Sequence, residues 1–519
     1  MVVNMENNKT KTITITSLLA LVILIIGATY AYFVAQTGEG SQTDIRINAN
    51  TVDTLTFETG DPITLTLDQE NFAQGKGNQT GSTFAKALLT ANNKTNSATE
   101  HYYMYLNIKN NTFMYTQDEN TPEILLTITD TNNNEITSIN GLTYKTVTGG
   151  YGTTLKGFDI TTQNDLITIF ENREITTTSS ITEELNVTVT YVNYNADQSA
   201  NAGKNFSASI MIQKSKLILL RDYVIALYTG TQGENSIYYH DSSLINGAGD
   251  NSYRFAGPSE DVNNFVCFGT NESPCPTDNL YRIIGVVDNK VKLIKYDYAN
   301  SNLLGTDGDY YGPNEQPIKN YQGNFTSVDT YYWSYKIDTT IDLGSNTWDT
   351  SLLNKINLNT NFINNIGSDW ASKISITKWK VGGNTEANMT SVNPAVTYQN
   401  EIVNSNATNS TDNATEYGAK VGLMYVSDYG FAAMPSDWIK TMSNYNNAIN
   451  NNWIYMGLLE WTITRISNFA SLVILVTDDG SVGIDHAGDC LEVRPVFNLN
   501  SSVAYVHGSG SQSDPILIN

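Results

Sequence analysis

A predominantly apolar, uncharged stretch of membrane-spanning length runs from Ile13 to Val34, near the N-terminus, and only Leu18 to Ile26 is wholly apolar. At about 1.5 Å per residue, it would form a helix of roughly 33 Å, close to the hydrocarbon thickness of a bilayer. Lys9 and Lys11 precede the stretch, and the first charge beyond it is Glu39. Because lysines favour the cytoplasmic side, the pattern predicts a cytoplasmic N-terminus and an extracellular body.

A cleaved signal peptide is the alternative interpretation of this stretch, since it has the same basic and apolar regions. Ala28 and Ala31 are three residues apart, whereas a cleavage site places small residues two apart. We therefore predict a retained signal anchor at 13–34 behind a cytoplasmic tail at 1–12. The protein is then a single-pass protein of the cell membrane, and its body is secreted if the anchor is cleaved.

The charge balance restricts the partners of the body. The 519 residues include 29 Lys and Arg and 52 Asp and Glu, a formal net charge of -23. A chain this acidic lacks the basic face that binds nucleic acid, so nucleic-acid partners are not expected. The same charge disfavours binding of the body to anionic lipids. A hydrophobic content of 40% nevertheless favours a folded body over a disordered one.

Residues 36–215 contain short segments separated by turns rich in Asn, Gly and Thr. Within the segments, apolar and polar residues alternate, which is typical of strands with one buried and one solvated face. The alternation predicts an antiparallel β-sandwich. The alternating segments are 54–59, 63–68, 102–109, 124–130, 185–193 and 206–213.

The composition changes after this region and predicts a second domain at 216–519. All seven Trp of the chain lie between Trp333 and Trp461. Residues 216–228 have apolar side chains at helical spacing and are followed by Gly230, so they predict a helix that opens the domain. Two separate hydrophobic cores are expected.

The second domain mixes signals for strands and helices, which predicts an α+β domain. Residues 280–296 predict a hairpin, because two apolar strands flank the turn dipeptide Asp288-Asn289. Helical turns are expected at 348–366, 368–374 and 435–445. From Trp461 onwards the pattern returns to strands separated by Gly and Asp turns.

Cys267 and Cys275 are close in sequence and belong to the exported body. In an oxidising compartment they are expected to form a disulfide, and a ring this short contributes roughly 2–3 kcal/mol by loop-entropy arithmetic. Two free thiols are the alternative. Cys490 is left over; we expect a buried, inert thiol, with an intermolecular bridge as the alternative.

The segment GATYAYF at 27–33, together with DQSANAGKNFSASIMI at 197–212, resembles the camelysin and TasA-type matrix proteins of Gram-positive bacteria. That resemblance covers about the first 215 residues. It implies an exported β-sandwich protein, and some members of this family build biofilm fibres.

The motifs CPTDNLYRIIGVVDNKVKLIK, GLMYVSDYGFAAMPSDW, EWTITR and VRPVFNLNSSVAYVHGSGSQSDPILI resemble a surface-protein family of gut Firmicutes. Their closing order is similar to that of formylglycine-generating-enzyme-like and C-type-lectin-like domains. The resemblance implies that the strand near Ile516 returns beside the start of the domain. The enzyme branch uses a cysteine pair or copper site near its end, where this chain has only Cys490, so that chemistry is not carried over.

Two groups of aspartates are candidate ligands for Ca²⁺, which prefers oxygen ligands on flexible loops. The first group is Asp307 and Asp309; the second is Asp478, Asp479, Asp485 and Asp489. Turn formation by Asp and Gly is the alternative explanation. No other cofactor is expected, because the four His lack the spacing of a zinc-ligand pair.

Trp333 is the candidate for contact with a ligand, because Trp rings can stack on sugars; packing in a core is the alternative. Glu460 is the candidate acid for an enzyme. No pattern of a nucleophile with a base or of a phosphate loop occurs, so we predict a non-enzymatic surface protein that binds a glycan or a protein. A polymerising matrix subunit is the second hypothesis, and a cell-wall-active enzyme is the third.

Overall fold

A computed structural model describes residues 53–67, 77–92, 96–164, 166–306, 310–311, 317–318, 321–324, 328–335, 344–389, 391–405 and 415–519. The predicted tail and anchor lie outside the described residues. Among the residues that are described, no helix is long and apolar enough to cross a membrane. The chain divides into two compact units, Met1–Lys216 and Leu217–Asn519, and this division lies beside the predicted boundary.

The protein is mainly β and contains several antiparallel sheets, which confirms the predicted fold class at this level. In the described part of the N-terminal unit, ten strands form two sheets with the orders β1-β3-β9-β5-β7-β6 and β2-β10-β4-β8. The strands are β1 (Thr54–Thr59), β2 (Ile63–Thr66), β3 (Gln79–Thr90), β4 (Ala98–Asn111), β5 (Ile124–Asp130), β6 (Tyr144–Thr148), β7 (Thr154–Asp159), β8 (Leu166–Thr177), β9 (Ser180–Tyr191) and β10 (Asn205–Gln213).

Alternating side chains build the core of this unit. In β3, Ala85, Ala87 and Leu89 are buried, and the residues between them are more exposed. Leu89 shares one hydrophobic core with Leu106 of the four-stranded sheet, so residues of both sheets meet in it. The interior between the two sheets excludes water, as the period-2 pattern predicts.

In the C-terminal unit the largest sheet has seven strands, in the order β11-β12-β14-β15-β27-β22 with β13 beside β14. The other sheets of this unit are smaller and antiparallel. The strands are β11 (Ile237–His240), β12 (Ser252–Phe255), β13 (Phe265–Cys267), β14 (Leu280–Val287), β15 (Lys290–Lys295), β16 (Tyr310–Tyr311), β17 (Pro317–Ile318), β18 (Tyr321–Asn324), β19 (Asp329–Tyr332), β20 (Thr377–Lys380), β21 (Glu416–Ala419), β22 (Val421–Gly422), β23 (Glu460–Arg465), β24 (Leu472–Val476), β25 (Val482–His486), β26 (Cys490–Leu491), β27 (Val496–Asn498), β28 (Tyr505–His507) and β29 (Leu517–Ile518).

Short helices connect these strands. The α-helices are α1 (Leu220–Ala226), α2 (Ser301–Leu304), α3 (Ile363–Asn365), α4 (Ser368–Ser372), α5 (Glu386–Met389), α6 (Pro394–Tyr398), α7 (Val426–Ala432) and α8 (Ala448–Asn451). Two segments are π-helical, Leu353–Phe362 and Gln399–Val403. The 3₁₀ turns are Gly150–Gly152, Ser199–Asn201, Glu234–Ser236, Thr277–Asn279, Trp348–Thr350, Pro435–Asp437 and Met442–Asn444.

The turn between β14 and β15 forms where the dipeptide Asp288-Asn289 predicts it. Both residues have positive φ, 48° and 62°, and Val287 pairs with Lys290. This is the geometry of a two-residue hairpin turn, whose twist matches that of the strands. The turn sets the register of β15 and therefore the position of Lys292 on that strand.

The opening helix of this unit is shorter than the predicted 216–228. Residues 218–220 pair with the chain near its end: the Tyr505 N–H donates to the Ile218 carbonyl, and the Leu220 N–H to the Val503 carbonyl. These hydrogen bonds hold the segment extended, so α1 begins at Leu220. In the C-terminal segment, Ile516 bridges to Val266 in parallel, so this end of the chain lies beside strand β13.

Candidate functional site

Trp333 is part of the core. The prediction that this residue contacts a ligand is therefore wrong. Its side chain is 0% exposed, and its Nε1 donates to the Thr462 carbonyl at 2.9 Å. Its ring packs against Trp348 with centroids 4.9 Å apart. A ring enclosed in this way has no face available for a sugar, so the residue contributes to stability rather than to recognition.

The other six Trp side chains are buried as well, and the most exposed of them is Trp370 at 9%. No indole of the chain therefore forms a stacking platform on the surface. The buried set is Trp348, Trp370, Trp379, Trp438, Trp453 and Trp461.

Asp478 and Asp479 form the turn between β24 and β25. The Asp479 carboxylate accepts hydrogen bonds from Thr477 Oγ1 and, at 2.9 Å, from the Ser481 N–H. These bonds lower the pKa of Asp479, the hydroxyl of Thr477 contributing most. Tyr455 donates to the Asp478 carbonyl. Both residues thus shape the turn, as the alternative explanation has it.

Asp485 and Asp489 lie close together, and their carboxyl groups interact. Burial, followed by the hydrogen bond and charge of Asp485, raises the pKa of Asp489 to about 6. In the described part of the chain, no three His, Cys, Asp or Glu side chains converge to hold a metal ion. A Ca²⁺ site at Asp478–Asp489 stays a prediction, and Asp307 and Asp309 lie outside the described residues.

In the structure, Cys267 and Cys275 are joined by a disulfide with a Cα–Cα distance of 5.9 Å. The bridge closes the loop between β13 and the turn Thr277–Asn279. Cys490 is a free thiol, and burial raises its pKa to about 12. At neutral pH this group is therefore a thiol rather than a reactive thiolate.

Glu460, the candidate enzymatic acid, lies inside the C-terminal unit in a two-point ion pair. Its Oε1 accepts from Arg494 Nε at 2.8 Å and its Oε2 from Arg494 Nη2 at 2.7 Å. Both side chains are almost fully buried. A carboxylate enclosed and paired in this way cannot reach a substrate, so a catalytic role for Glu460 has no geometric support.

Four exposed aliphatic residues, which we call the Trp438 patch, lie on chain segments close to Trp438 and its packing partners: Ile245, Met434, Ile439 and Ile449. Their side chains are 82%, 36%, 68% and 76% exposed, respectively. Aliphatic side chains are seldom left this open to water in groups, and such groups often mark surfaces that bind another molecule.

Hydrogen bonds connect the two chain segments that carry three of these side chains. The Met434 N–H donates to the Asn451 carbonyl at 2.8 Å, and Asn451 Nδ2 donates to Asp437 Oδ2 at 3.0 Å. The Trp438 Nε1 donates to the Ala433 carbonyl. The segment around Ile439 is thereby held against helix α8, which carries Ile449.

A buried aromatic cluster contains Trp438 and lies next to two of the segments that carry the patch residues. Phe431, Trp438 and Tyr398 form it, and Leu244 packs against it from the loop that carries Ile245. The rings of Phe431 and Trp438 meet edge to face with centroids 5.7 Å apart. Two of the segments that carry the patch residues are thus anchored on a rigid aromatic support, which limits the entropy lost when a partner binds.

His240 completes this aromatic cluster as a neutral imidazole. Its Nδ1 accepts a hydrogen bond from the Ala248 N–H at 3.1 Å, and its ring meets that of Phe431 edge to face. Burial, together with the charge of Arg254, lowers its pKa to about 3. A histidine that stays neutral at physiological pH is neither a pH sensor nor a general acid here.

A buried charged group lies next to these aromatics. We call it the Asp428 cluster; it consists of Asp250, Arg254, Lys292, Glu401 and Asp428. Arg254 donates to Asp250 at 2.8 Å and to Asp428 at 3.2 Å, and Lys292 Nζ contacts the second oxygen of Asp428. The cluster ties strands β12 and β15 to helix α7.

Glu401 is the member of the Asp428 cluster without an ion-pair distance to a cation. Its carboxyl accepts from the Ser427 N–H at 2.8 Å and from Thr464 Oγ1 at 2.6 Å. Burial raises its pKa to about 7, against the effect of these two hydrogen bonds. At neutral pH a substantial share of the molecules therefore carries a protonated Glu401.

Two open pockets lie in the N-terminal unit, where sequence reasoning expected no site. The smaller, about 210 Å³, contains Tyr115, Lys145 and Asp159, whose polar groups bond to one another. The larger, about 350 Å³, is lined by Arg173 and Glu183 among other charged residues. In both pockets these polar groups already have partners, so neither pocket points to a particular ligand.

Sequence reasoning identified neither the Trp438 patch nor the Asp428 cluster. The segment GFAAMPSDW was noted as part of a family motif, and its end as the start of the helical turns at 435–445, but neither prediction pointed to an exposed apolar group. Asp250 and Arg254 are four residues apart, which is a weak signal of an ion pair. Asp428 is 136 residues away from Lys292, and no local pattern relates the two.

Comparison with known proteins adds no functional residue to these features. No model of a known protein family matches this chain, and no curated protein matches it, so the two family resemblances stay predictions.

Proposed function

We propose that the protein is a single-pass surface protein of the cell membrane whose C-terminal unit binds another protein through the Trp438 patch. The observation that carries this proposal is the group of exposed aliphatic side chains on a rigid aromatic support. The apolar N-terminal stretch and the lysines before it support export of the body. The C-type-lectin-like fold implied by the sequence motifs belongs to the same proposal.

The chemistry of the patch favours a protein over a glycan. Ile245, Ile439 and Ile449 offer no hydrogen-bonding groups, whereas sugars need polar partners and flat aromatic faces. The Trp rings that might provide such faces are buried. With a net charge of -23, the chain repels acidic proteins, so the partner is expected to be neutral or basic with an apolar contact of its own.

Cells that display the full chain can be tested on two arrays, one of immobilised extracellular proteins and one of glycans. We expect retention on protein spots, with a marked loss in the double variant Ile439→Ser, Ile449→Ser. The matched control is Ile376→Ser, because Ile376 is 70% exposed and lies outside the patch. Retention on glycan spots that the double variant leaves unchanged would contradict the proposal.

A matrix subunit is the second candidate, and the sheet edges of the N-terminal unit favour it. In the described part of this unit, β1 and β6 end the six-stranded sheet, and β9 pairs with β5 only over residues 185–191. Open strand edges can pair with a strand of another copy. Under this hypothesis the purified full chain in detergent forms fibres visible by electron microscopy, and Val147→Pro in β6 prevents them. A chain that stays monomeric at high concentration would exclude it.

A further inference from the structure

Lys292 and Asp428 meet inside the C-terminal unit. Lys292 lies on β15 and its side chain is 5% exposed; Asp428 lies in α7 and is 3% exposed. The Nζ of Lys292 is in direct contact with Oδ2 of Asp428. Both groups are thus removed from water, which is costly for charges unless they are paired.

The surroundings of this pair are aromatic and hold both groups in place. Lys292 Nζ lies 4.4 Å from the ring centroid of Tyr425 and 5.7 Å from that of Trp379. The other oxygen of Asp428 accepts from Arg254 Nη1 at 3.2 Å. The amine, the carboxyl carbon and a fixed cation are thus assembled before any reaction occurs.

We propose that Lys292 and Asp428 are the site of a self-formed intramolecular amide bond. Transfer of one proton within the ion pair gives a neutral amine and a carboxylic acid. Nζ then attacks Cγ of Asp428, a second proton passes from nitrogen to the departing oxygen, and one molecule of water leaves. The new amide nitrogen keeps one hydrogen, and no oxidant or other reactant is needed.

Two features of the site support this step. Arg254 faces the oxygen on which negative charge develops when Nζ adds to the carboxyl carbon, so it stabilises the intermediate. Burial lowers the pKa of Lys292 despite the opposing charge of Asp428, and it favours the neutral, nucleophilic amine. Arg254 contacts the reacting group directly and is the residue we assign to this role.

The bond would join residues separated by 136 positions and tie β15 covalently to α7. It would also prevent complete extension of the C-terminal unit, because the chain between the two residues becomes a closed ring. For a protein displayed on a cell surface, such a ring resists pulling forces and proteases that act on the extended chain.

The mass of the purified full chain, measured after reduction of the disulfide, tests the proposal on the wild-type protein. We expect a mass lower than the sequence mass by one water molecule, and a branched peptide that contains both Lys292 and Asp428. The Lys292→Arg variant should have the full mass calculated from its sequence. It should also migrate more slowly than the wild-type protein in denaturing gels. Lys290→Arg is the matched control on the same strand, and it should keep the loss of water.

Dehydration at an Asp-Gly step, such as Asp479-Gly480, also removes one water, but it gives a linear peptide. Linear peptides alone, or the full sequence mass in the wild-type protein, would overturn the proposal and leave an ordinary buried ion pair. Because both results come from the wild-type chain, the test holds even if Lys292→Arg folds poorly. Asp428→Ala provides a second variant, in which the branched peptide must be absent.

Discussion

Arg494 holds Glu460 with two parallel hydrogen bonds of 2.8 and 2.7 Å inside the C-terminal unit. Arg494 also donates to the Ile454 carbonyl at 2.7 Å, so the pair links β23, the segment after β26 and the chain before β23. Its role is therefore structural, and the residue considered as an enzymatic acid is part of the framework.

Replacing Glu460 by Gln leaves Arg494 buried without a counter-charge. Breaking a buried ion pair in this way costs about 3–5 kcal/mol of unfolding free energy. Urea denaturation monitored by Trp fluorescence measures the loss. Lys378→Ala is the control, because the Lys378–Glu416 pair lies at the surface, where water and salt screen the attraction, so its loss should change stability little. If the two substitutions lower the free energy of unfolding equally, the structural role of the Glu460–Arg494 pair is contradicted.

The raised pKa of Glu401 should make the free energy of unfolding depend on pH. Its pKa is raised from 4.5 to about 7 in the folded state, so the folded protein binds this proton more tightly than the unfolded chain. The contribution to stability is present below pH 4.5, is lost as the pH rises towards 7, and amounts to about 3 kcal/mol at most.

Denaturation of wild-type protein and Glu401→Gln between pH 4 and 8 tests this dependence. The amide is neutral throughout, so the difference between the two proteins should change across that interval in favour of the variant at high pH. Asp489 also titrates near pH 6, but it does so in both proteins and cancels from the difference. A difference that is constant with pH would show that Glu401 stays ionised.

Trp333→Ala should lower stability rather than ligand affinity. Removing a buried Trp leaves a cavity beside Trp348 and costs about 3–5 kcal/mol. Ile376→Ser, on the surface, should change stability by less than about 0.5 kcal/mol. Thermal unfolding of both variants decides the point. If Trp333→Ala binds its partner poorly while its unfolding curve is unchanged, the residue recognises the partner after all.

Because two of the three cysteines form a disulfide, the cysteines should differ in their reactivity toward a thiol reagent. In protein from an oxidising compartment, a thiol reagent should label only Cys490, and mainly after unfolding, because its pKa is high. Replacing Cys267 and Cys275 together by Ser should cost about 2–3 kcal/mol. Peptide mass spectrometry that finds Cys490 bridged to either partner would refute this pairing.

Membrane topology is tested on intact cells. Protease added from outside should digest the body and spare a tag placed before residue 1, because the lysines at 9 and 11 favour the cytoplasm. The control is the same tag placed at the C-terminus, which should be removed. An N-terminal tag that is accessible from outside would reverse the orientation.

Local patterns predicted the β architecture well. The alternation in segment 185–193 corresponds to β9, and the dipeptide Asp288-Asn289 forms the hairpin turn. Both signals depend on neighbouring residues only, which is why they can be read without the fold. The helix predicted at 216–228 was too long, because pairing with residues 503–505 competes with it.

The π-helix Leu353–Phe362 shows a second limit of local reasoning. Helical turns were expected there, but the type of helix was not. Asn354, Asn357 and Asn359 donate their side-chain amides to backbone carbonyls, those of Asn357 and Asn359 reaching Leu304 and Val421. These partners are distant in sequence, so the Asn-rich composition alone suggests a polar surface rather than a buried helix.

The amino-acid sequence is enough to show that this is an acidic, β-rich protein. The signals for this are strand periodicity, turn residues and charge balance, and each depends only on residue composition or on neighbouring residues. Burial depends on contacts across the chain. Trp333 is a core residue because a carbonyl 129 positions away accepts its N–H, and Lys292 meets Asp428 across 136 positions. Such contacts contribute free energy only when the chain is folded. The sequence alone therefore does not show which isoleucines stay exposed or which charged residues form buried pairs.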